Sequence, residues 1–455
     1  MTIKEQFNIQ KSAFFKGKNR VVSDRINHLL RLKEMITENE SLLYDALRKD
    51  LGKPEFEVYT TEILTVLNEI DVHLKNIQGW AKTRSVGNSY LTFPSKSKIY
   101  KQPLGIVLII GAWNYPIHLT LMPLIGALSA GNTIALKPSE LAPNTSSLLA
   151  QLFQQYYDSE LITVYEGGVP ETTKLLKLPF DKIFFTGSTH VGKIVMKAAA
   201  EQLIPVTLEL GGKSPAIIHK DADINVASNR IWWGKTLNAG QTCVAPDFVA
   251  IHESKKDEFI DSSKQSLQSF FNNKYVIGTN YTGIINESHF DRLMNLLHSG
   301  VILFGGKSDK KNHFIEPTLL EADWDDFIMQ DEIFGPLLPL VTYNQPEEVM
   351  YKLQAMNSPL ALYLFSDDEQ FQRDIISNVP FGGGCINETV SYLANHHLPF
   401  GGVGKSGMGS YHGKYSFDTF SRDQSILYKS NWPDPDLRYP PYDDRMKTWL
   451  KRLFS

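Results

Sequence analysis

The stretch Leu104-Gly105-Ile106-Val107-Leu108-Ile109-Ile110 is a continuous apolar run with the length of one strand. Such a run is typical of a strand that is buried on both faces of a parallel sheet. Downstream of it, helix-like and strand-like segments alternate at Met122–Ala130, Thr133–Lys137, Thr145–Tyr156, Ile162–Glu166, Lys182–Thr186, Val191–Glu201 and Val206–Leu210. This alternation predicts βαβ units, and therefore an α/β fold with a parallel sheet.

The regions on either side of this stretch have different patterns. A second α/β region runs from Pro215 to about Ile386, with strands predicted at Phe248–His252, Leu338–Tyr343 and Leu360–Phe365. The first fifty residues are predicted to be helical, with Ser23 or Asp24 as the cap of one helix. Short polar–apolar alternation around Pro94 predicts a β-excursion outside the helical layer.

Composition and charge exclude several classes of protein. Lysine and arginine number 46 and aspartate and glutamate number 50, so the formal net charge is −4. This balance does not favour binding to a nucleic-acid backbone. The two cysteines cannot build a disulfide framework, the N-terminus lacks a signal-peptide core, and the longest apolar stretch, 104–113, is too short for the ~20 residues of a membrane helix. The sequence predicts a cytoplasmic enzyme of two or three domains.

Two segments contain residues suited to nucleophilic and general-base chemistry. In Asn238-Ala239-Gly240-Gln241-Thr242-Cys243, a cysteine near a helix boundary could be a nucleophile of low pKa, or an inert buried cysteine. In Thr207-Leu208-Glu209-Leu210-Gly211-Gly212-Lys213, the Glu209 carboxylate follows an apolar strand. Burial at the carboxyl edge of a sheet would raise its pKa and suit it to general-base work, although a glutamate paired with a nearby lysine is the alternative.

Three further segments follow predicted strands. The turn that holds Gly187, Ser188 and Gly192 could bring backbone N–H groups close to a phosphate, although any βα turn can contain such glycines. Asn114 could donate its amide to a developing oxyanion, or be an ordinary turn asparagine. Lys137 and Glu140 could contact ribose hydroxyls, or be solvated loop charges. Together these strand ends offer the parts of an acyl-transfer site and a nucleotide-binding site.

With these motifs the chain resembles the NAD(P)-dependent aldehyde dehydrogenases. The resemblance extends over nearly the whole chain, through Leu104–Pro116, Gly131–Pro143, Phe185–Gly192, Leu208–Lys213, Gly240–Asp247, Gln330–Pro336 and Leu398–Gly413. Glu-Leu-Gly-Gly-Lys-Ser at 209–214 and Gly-Gln-Thr-Cys at 240–243 are its most specific motifs. The short N-terminus, the segments Leu398–Gly404 and Ser410–Gly413, and Arg438-Tyr439-Pro440-Pro441-Tyr442 resemble the class-three branch.

The resemblance implies a reaction and a catalytic role for three residues. A medium- or long-chain aliphatic or aromatic aldehyde would be oxidised to its carboxylic acid. Cys243 would form a thiohemiacetal and then a thioester, with the oxyanion held by the Asn114 amide and the Cys243 backbone N–H. Glu209 would activate the water that hydrolyses the thioester.

The resemblance also implies the residues that bind the cofactor. Glu332 would hold the nicotinamide ribose, Phe334 would pack beside the ring, and Leu210 would add a further contact. Lys137 and Glu140 match the contacts to the adenosine ribose, and Gly187, Ser188 and Gly192 match the pyrophosphate turn. Glu140 favours a free 2′-hydroxyl, so NAD is expected, with NADP also possible. No metal is expected, because the adjacent His396 and His397 would point to opposite faces of a strand and lack further ligands.

The same resemblance suggests a division of the chain and an assembly. Residues 1–84 and 104–211 would form a Rossmann-type NAD(P)-binding domain and 212–410 the catalytic domain. A bridging β-element at 85–103 and 411–432 would pair the subunits of a homodimer. Residues 433–455 would be an arm that ends in an amphipathic helix, with Met446, Trp449, Leu450, Leu453 and Phe454 on its apolar face. Docking of that helix on the protein is favoured over peripheral contact of 444–454 with a membrane.

Two alternatives from other functional classes remain open. A cysteine-dependent acyl transferase or esterase would use the same thiol but would need neither the turn at 187–192 nor Glu332. A non-catalytic protein on the same scaffold would have lost Cys243 or Glu209, and both are present.

Overall fold

The structure is a computed structural model that describes residues 2–89, 92–434, 439–442 and 444–454. Its helices are α1 (Ile3–Phe15), α2 (Val22–Glu38), α3 (Glu40–Leu51), α4 (Glu55–Val58), α5 (Leu64–Trp80), α6 (His118–Ala130), α7 (Pro143–Tyr156), α8 (Val169–Leu176), α9 (Thr189–Ala200), α10 (Ile224–Thr236), α11 (Lys256–Phe271), α12 (Glu287–Leu297), α13 (Pro346–Ala355), α14 (Glu369–Asn378), α15 (Lys414–Thr419) and α16 (Asp444–Phe454). Its strands are β1 (Arg84–Val86), β2 (Ser95–Pro103), β3 (Ile106–Ile110), β4 (Thr133–Lys137), β5 (Ile162–Val164), β6 (Lys182–Thr186), β7 (Val206–Glu209), β8 (Pro215–Ile218), β9 (Phe248–His252), β10 (Val301–Phe304), β11 (Ser308–Asp309), β12 (Phe314–Ile315), β13 (Thr318–Glu321), β14 (Leu337–Tyr343), β15 (Ala361–Phe365), β16 (Gly383–Ile386), β17 (Gly407–Met408) and β18 (Ser421–Lys429).

The last five residues of the apolar run, Ile106–Ile110, form β3, in the middle of a parallel sheet. In the described part of the chain this sheet has six strands in the order β17-β7-β6-β3-β4-β5, and only β17 is antiparallel to its neighbour. All five residues of β3, β4 and β6 are buried, as expected for strands covered on both faces. The carboxyl ends of β4, β6 and β7 therefore meet at one edge, which is where open α/β sheets bind ligands.

A second sheet contains the downstream strands. Among the described residues it has the order β10-β13-β14-β9-β8-β15-β16, and only β10 is antiparallel. Its core includes Phe248, Leu337, Val341, Leu362 and Leu364, all of them buried. Both sheets lie in one compact unit, formed by residues 1–80 and 103–422. The predicted α/β class with parallel sheets is confirmed.

The remaining residues form a smaller unit, residues 81–102 and 423–455. Its sheet has the order β1-β2-β18 within the described ranges, so the predicted β-excursion is present as β1 and β2. Tyr90 and Leu91, which begin the predicted alternation, lie outside the described residues. Residues 411–422, which the prediction places in the bridging element, are part of the larger compact unit. The division of the chain into cofactor, catalytic and bridging domains stays a prediction.

The helical beginning of the chain differs from the prediction at one boundary. Helix α2 starts at Val22 and its N-cap is Val21, which makes no side-chain capping bond, so Ser23 and Asp24 lie inside the first turn. Helix α16 forms where it was predicted, but Trp449, Leu450, Leu453 and Phe454, which would complete its apolar face, have side chains outside the described set. No helix that the structure describes combines the length and hydropathy needed to cross a bilayer.

Candidate functional site

Cys243 follows a turn of unusual backbone conformation. Helix α10 ends at Thr236 with Leu237 as its C-cap, and the next three residues, Asn238, Ala239 and Gly240, have φ values of 52°, 51° and 72°. We name residues 238–240 the nucleophile turn. Asparagine and glycine tolerate the left-handed region, but an alanine there costs about 1–2 kcal/mol. A Cβ at position 240 would also collide with the Gly335 carbonyl. The turn must therefore be held by its surroundings.

Side chains from the β3 loop hold the residues around this turn. Asn114 is buried, and its Nδ2 donates to the Gln241 carbonyl at 3.0 Å. In return, Asn238 Nδ2 donates to the Asn114 carbonyl at 2.8 Å. The Tyr115 hydroxyl lies 2.7 Å from Thr242 Oγ1. Asn114 is thus more than a turn asparagine, because its amide binds the loop that ends at Cys243.

A cavity of about 610 Å³ lies beside the cysteine. Glu209 and Leu210, from the end of β7, and Cys243, from the loop before β9, all line it. Most of the remaining wall is apolar and includes Leu119, Trp233, Phe271, Leu393 and Phe400. A volume of this size falls within the ~300–1,000 Å³ that is usual for small-molecule sites.

The Glu209 carboxylate is buried at the carboxyl end of β7 without a partner. Only 2% of the residue is exposed, and neither carboxylate oxygen makes a hydrogen bond to any described residue. Burial raises the pKa of the Glu209 carboxyl well above its usual value, as expected. The alternative of a glutamate–lysine pair is wrong, because Lys213 Nζ lies 2.6 Å from Asp247 Oδ2 instead.

The environment of Cys243 does not match the expected low-pKa cysteine. Burial raises the pKa of the thiol above its usual value, and the nearby carboxylates of Glu332 and Glu209 add to this effect. A thiolate is disfavoured both by low polarity and by negative charge. Cys243 itself is only half-buried and faces the cavity.

The turn after β6 and the residue Leu210 pack closely against the start of α9. Ser188 is the N-cap of α9, and its side chain accepts a hydrogen bond from the Val191 N–H. The Gly187 N–H donates to the Glu209 carbonyl at 3.0 Å. A Cβ at Gly192 would lie 2.6 Å from Leu210 Cδ2, so the glycine lets α9 pack against Leu210. These contacts bring the four predicted cofactor residues of this region to one edge of the sheet, beside a helix N-terminus that can bind phosphate: Gly187, Ser188, Gly192 and Leu210.

Glu332 and Phe334 lie on a loop that is held against the same edge. The Glu332 Oε1 atom is buried and has no hydrogen-bond partner among the described residues. Burial, with Asp247 close by, raises the pKa of the Glu332 carboxyl to about 8. Phe334 has a φ of 50°, a strained value for an aromatic residue, and its ring packs 5.4 Å from that of Trp113. An unsatisfied buried oxygen and a strained aromatic are typical of a ligand site.

Lys137 is the last residue of β4, and it contacts Glu140 in the loop that follows. Lys137 is 1% exposed, and its Nζ lies 2.7 Å from the Pro138 carbonyl and 3.1 Å from Glu140 Oε2. Lys137 is therefore not a solvated loop charge. The Glu140 side chain is 43% exposed, which leaves its other oxygen accessible to a hydroxyl group. Thus Lys137, Glu140, Gly187, Ser188, Gly192 and Leu210 lie at or just after strand ends of the first sheet, and Glu332 and Phe334 lie on the loop before β14 of the second. The partly exposed Glu140 carboxylate and the unpartnered Glu332 Oε1 fit the hydroxyl groups of a nucleotide.

Two groups of residues in the site were not predicted. Lys213 and Asp247 form a buried ion pair, and Lys213 also donates to the carbonyls of Ile328 and Asp331, just before Glu332. Glu57 contacts the nucleophile turn from α4. Lys213 stands within a specific motif, so its position was a usable signal. No pattern in the sequence marks Glu57.

Comparison with known proteins shows the family. The model of the aldehyde dehydrogenase family matches residues 2–426. The 4,4'-diaponeurosporen-aldehyde dehydrogenase of Staphylococcus aureus is 47% identical, over 100% of this chain and 99% of that protein. The dimeric NADP-preferring aldehyde dehydrogenase of Rattus norvegicus is 45% identical, over 96% and 97%. A solved substrate-bound structure of Staphylococcus aureus AldH superposes with a TM-score of 0.98 at 46% identity and covers 100% of both chains.

Proposed function

The chain belongs to the aldehyde dehydrogenase family and is an NAD(P)-dependent oxidoreductase that acts on aldehydes, and we propose that it oxidises medium- to long-chain aliphatic or aromatic aldehydes through a thioester on Cys243. The observation that supports this reaction most directly is that Cys243 and Glu209 face the same cavity. A sulfur nucleophile and an unpartnered carboxylate are the two groups that formation and hydrolysis of a thioester require.

The proposed reaction assigns one role to each of three residues. The Cys243 thiol passes its proton to water as its sulfur bonds to the aldehyde carbon, which gives the oxyanion of a thiohemiacetal. The Asn114 amide has a second N–H besides the one on Gln241, and this N–H and the Cys243 backbone N–H stabilise the oxyanion. Loss of the aldehyde hydrogen as hydride turns the thiohemiacetal into a thioester. Glu209 then accepts a proton from the water that attacks the thioester carbon, the C–S bond breaks, and this proton passes to the sulfur, which releases the carboxylic acid and restores the thiol.

NAD(P), when bound, supplies the hydride acceptor, and its positive ring favours the thiolate. We assign Gly187, Ser188 and Gly192 to its pyrophosphate, Glu332 with Phe334 to its nicotinamide side, and Leu210 to a further contact with it. The cofactor domain would be 1–84 and 104–211. The catalytic domain would be 212–410 and the bridging element 85–103 and 411–432. We also propose that the enzyme is cytoplasmic, where a reducing environment keeps a catalytic thiol active.

The reaction is tested by the formation of reduced cofactor with a series of aldehydes. Because a buried CH₂ contributes about 0.8 kcal/mol, we expect kcat/KM to rise roughly fourfold per methylene until the chain fills the cavity. Cys243→Ala and Cys243→Ser should abolish oxidation, and turnover in either variant would contradict the mechanism. Ester hydrolysis without any reduced cofactor would instead indicate a thiol hydrolase.

NAD is the preferred cofactor in this proposal, and the Lys137–Glu140 pair supports the preference. Glu140 would repel a 2′-phosphate, and it already binds the buried lysine that could otherwise attract one. Glu140→Gln should remove a repulsion of about 1.4 kcal/mol between this side chain and a 2′-phosphate. We therefore expect the ratio of kcat/KM for NADP to that for NAD to increase by about tenfold. An unchanged ratio would contradict the assignment of Glu140 to the ribose.

A further inference from the structure

The first residue of the nucleophile turn has a backbone donor that the helix no longer satisfies. In a continuing helix, the Asn238 N–H would donate to the carbonyl of Gly234. The chain leaves helical geometry at Leu237, where ψ is 127°, so that bond is not made. Asn238 is fully buried, and an unsatisfied buried N–H costs about 1–3 kcal/mol. The geometry of the turn therefore depends on another acceptor.

Glu57 provides this acceptor from a distant part of the chain. Its Oε1 accepts the Asn238 N–H at 2.6 Å, and its Oε2 accepts the Thr282 hydroxyl at 3.2 Å. Glu57 is on α4 and also lines the cavity that contains Cys243. A hydrogen bond from a backbone N–H to a carboxylate is shorter and stronger than one to a neutral oxygen.

The other contacts to this region use other atoms, including the Asn238 amide, which donates to the Asn114 carbonyl. Asn114 and Asn238 both donate to the Gln241 carbonyl, after the turn, at 3.0 and 3.1 Å. The Gln241 side chain joins the Asn238 carbonyl to that of Gly283. Among the described residues, the Glu57 carboxylate is the acceptor for the Asn238 N–H, at the first residue of the turn.

We propose that Glu57 is a positioning residue, which fixes the nucleophile turn and thereby directs the Cys243 sulfur toward the aldehyde carbon. The inference rests on the proposed role of Cys243. A displacement of about 1 Å at a reacting group can cost about 100-fold in rate. Removal of the acceptor should therefore slow formation of the thioester without changing the affinity for the aldehyde.

The experiment measures the first turnover in a Glu209→Gln background, where slow thioester hydrolysis makes reduced cofactor appear as a burst. The amplitude of the burst counts correctly folded sites, and its rate constant reports thioester formation. Four substitutions are compared: Glu57→Ala, Glu57→Gln, Thr282→Val and, as a matched control, Glu55→Ala. Glu55 is exposed on the same short helix.

We expect Glu57→Ala to lower the burst rate constant 10- to 100-fold, with the amplitude and the aldehyde concentration for half-maximal burst rate unchanged. Glu57→Gln keeps an oxygen acceptor and should stay within about threefold of the parent. Thr282→Val should fall between them, and Glu55→Ala should match the parent. A lower amplitude at an unchanged rate constant would overturn the inference, as would equal losses in the alanine and glutamine variants.

Failure of the proposed function would be distinguishable. If the Cys243→Ala enzyme oxidises aldehydes, the proposed mechanism fails and the inference fails with it. If Cys243→Ala is inactive and Glu57→Ala keeps the parental rate constant, only the role of Glu57 is refuted.

Discussion

A carboxylate without partners, such as that of Glu209, makes the folded protein sensitive to pH. Its pKa is raised by burial above the ordinary value of 4.5, so the folded state holds a proton that the unfolded state releases. The stability that this proton binding contributes is fully present below about pH 4.5 and is lost as the pH rises through the folded-state pKa. At neutral pH the group that serves hydrolysis is therefore also a cost to folding.

We expect Glu209→Gln to raise the midpoint of thermal unfolding, because glutamine brings no charge into the buried site. The difference from the parent should be small near pH 5 and should increase toward pH 8, as measured by calorimetry without cofactor. Glu55→Gln, at the exposed position on α4, serves as the control and should give no pH-dependent difference. A difference that stays constant across this range would show that Glu209 is not held with a raised pKa.

At the residue scale, the sequence indicated the groups that chemistry requires but not the groups that hold them. Cys243, Glu209 and Asn114 stand in local motifs next to strand ends, so their types and spacing could be interpreted directly. Glu57 meets Asn238 across 181 positions of sequence, and such a contact depends on packing. The raised pKa of the Cys243 thiol was missed for the same reason, because it depends on burial and on carboxylates from other loops.

At the scale of elements, strands were predicted more accurately than helix starts. β4 and β6 have the predicted limits, since a fully buried strand has an unbroken apolar pattern. The start of α2 was wrong because polar residues are accepted both at a cap and inside a first turn. A π-helical turn at Tyr59–Ile63 was not predicted, because its extra residue per turn leaves no distinct pattern in the sequence.

The loop that carries Glu332 depends on a buried ion pair. Lys213 and Asp247 are each 5% exposed at the side chain, and Asp247 Oδ1 also accepts the Ile333 N–H at 3.0 Å. We expect Asp247→Ala to lower the free energy of unfolding by about 3–5 kcal/mol, because it leaves a buried charge unpaired. Since the loop would move, the KM for NAD should also rise.

Denaturant unfolding and cofactor titration measure these two effects. The matched control is Glu369→Ala, which breaks a helical ion pair with Arg373 whose side chains are 81% and 60% exposed. This exposed pair should contribute less than about 1 kcal/mol. If both variants lost the same small amount, the Lys213–Asp247 pair would not be what holds the loop.

At the scale of the whole molecule, the smaller unit has an exposed edge strand that bears on how subunits pair. Its sheet ends at β18, which carries the exposed side chains of Leu427 and Tyr428. An exposed edge strand with apolar side chains is a template for pairing with another chain. The relative from Rattus norvegicus is described as dimeric. We therefore propose a homodimer that forms by β18.

A chain of 51.5 kDa should then sediment as a species of about twice that mass. Placing lysines on an edge strand is a common way in which proteins prevent pairing, so Leu427→Lys with Tyr428→Lys should convert the dimer to monomer. Val301→Lys with Ile302→Lys is the matched control, because β10 is also an edge strand and these side chains are 65% and 43% exposed. The control should keep the dimer mass. If instead the β10 variant dissociated and the β18 variant did not, the subunits would pair through the larger unit, and the bridging role of 85–103 and 411–432 would have to be abandoned.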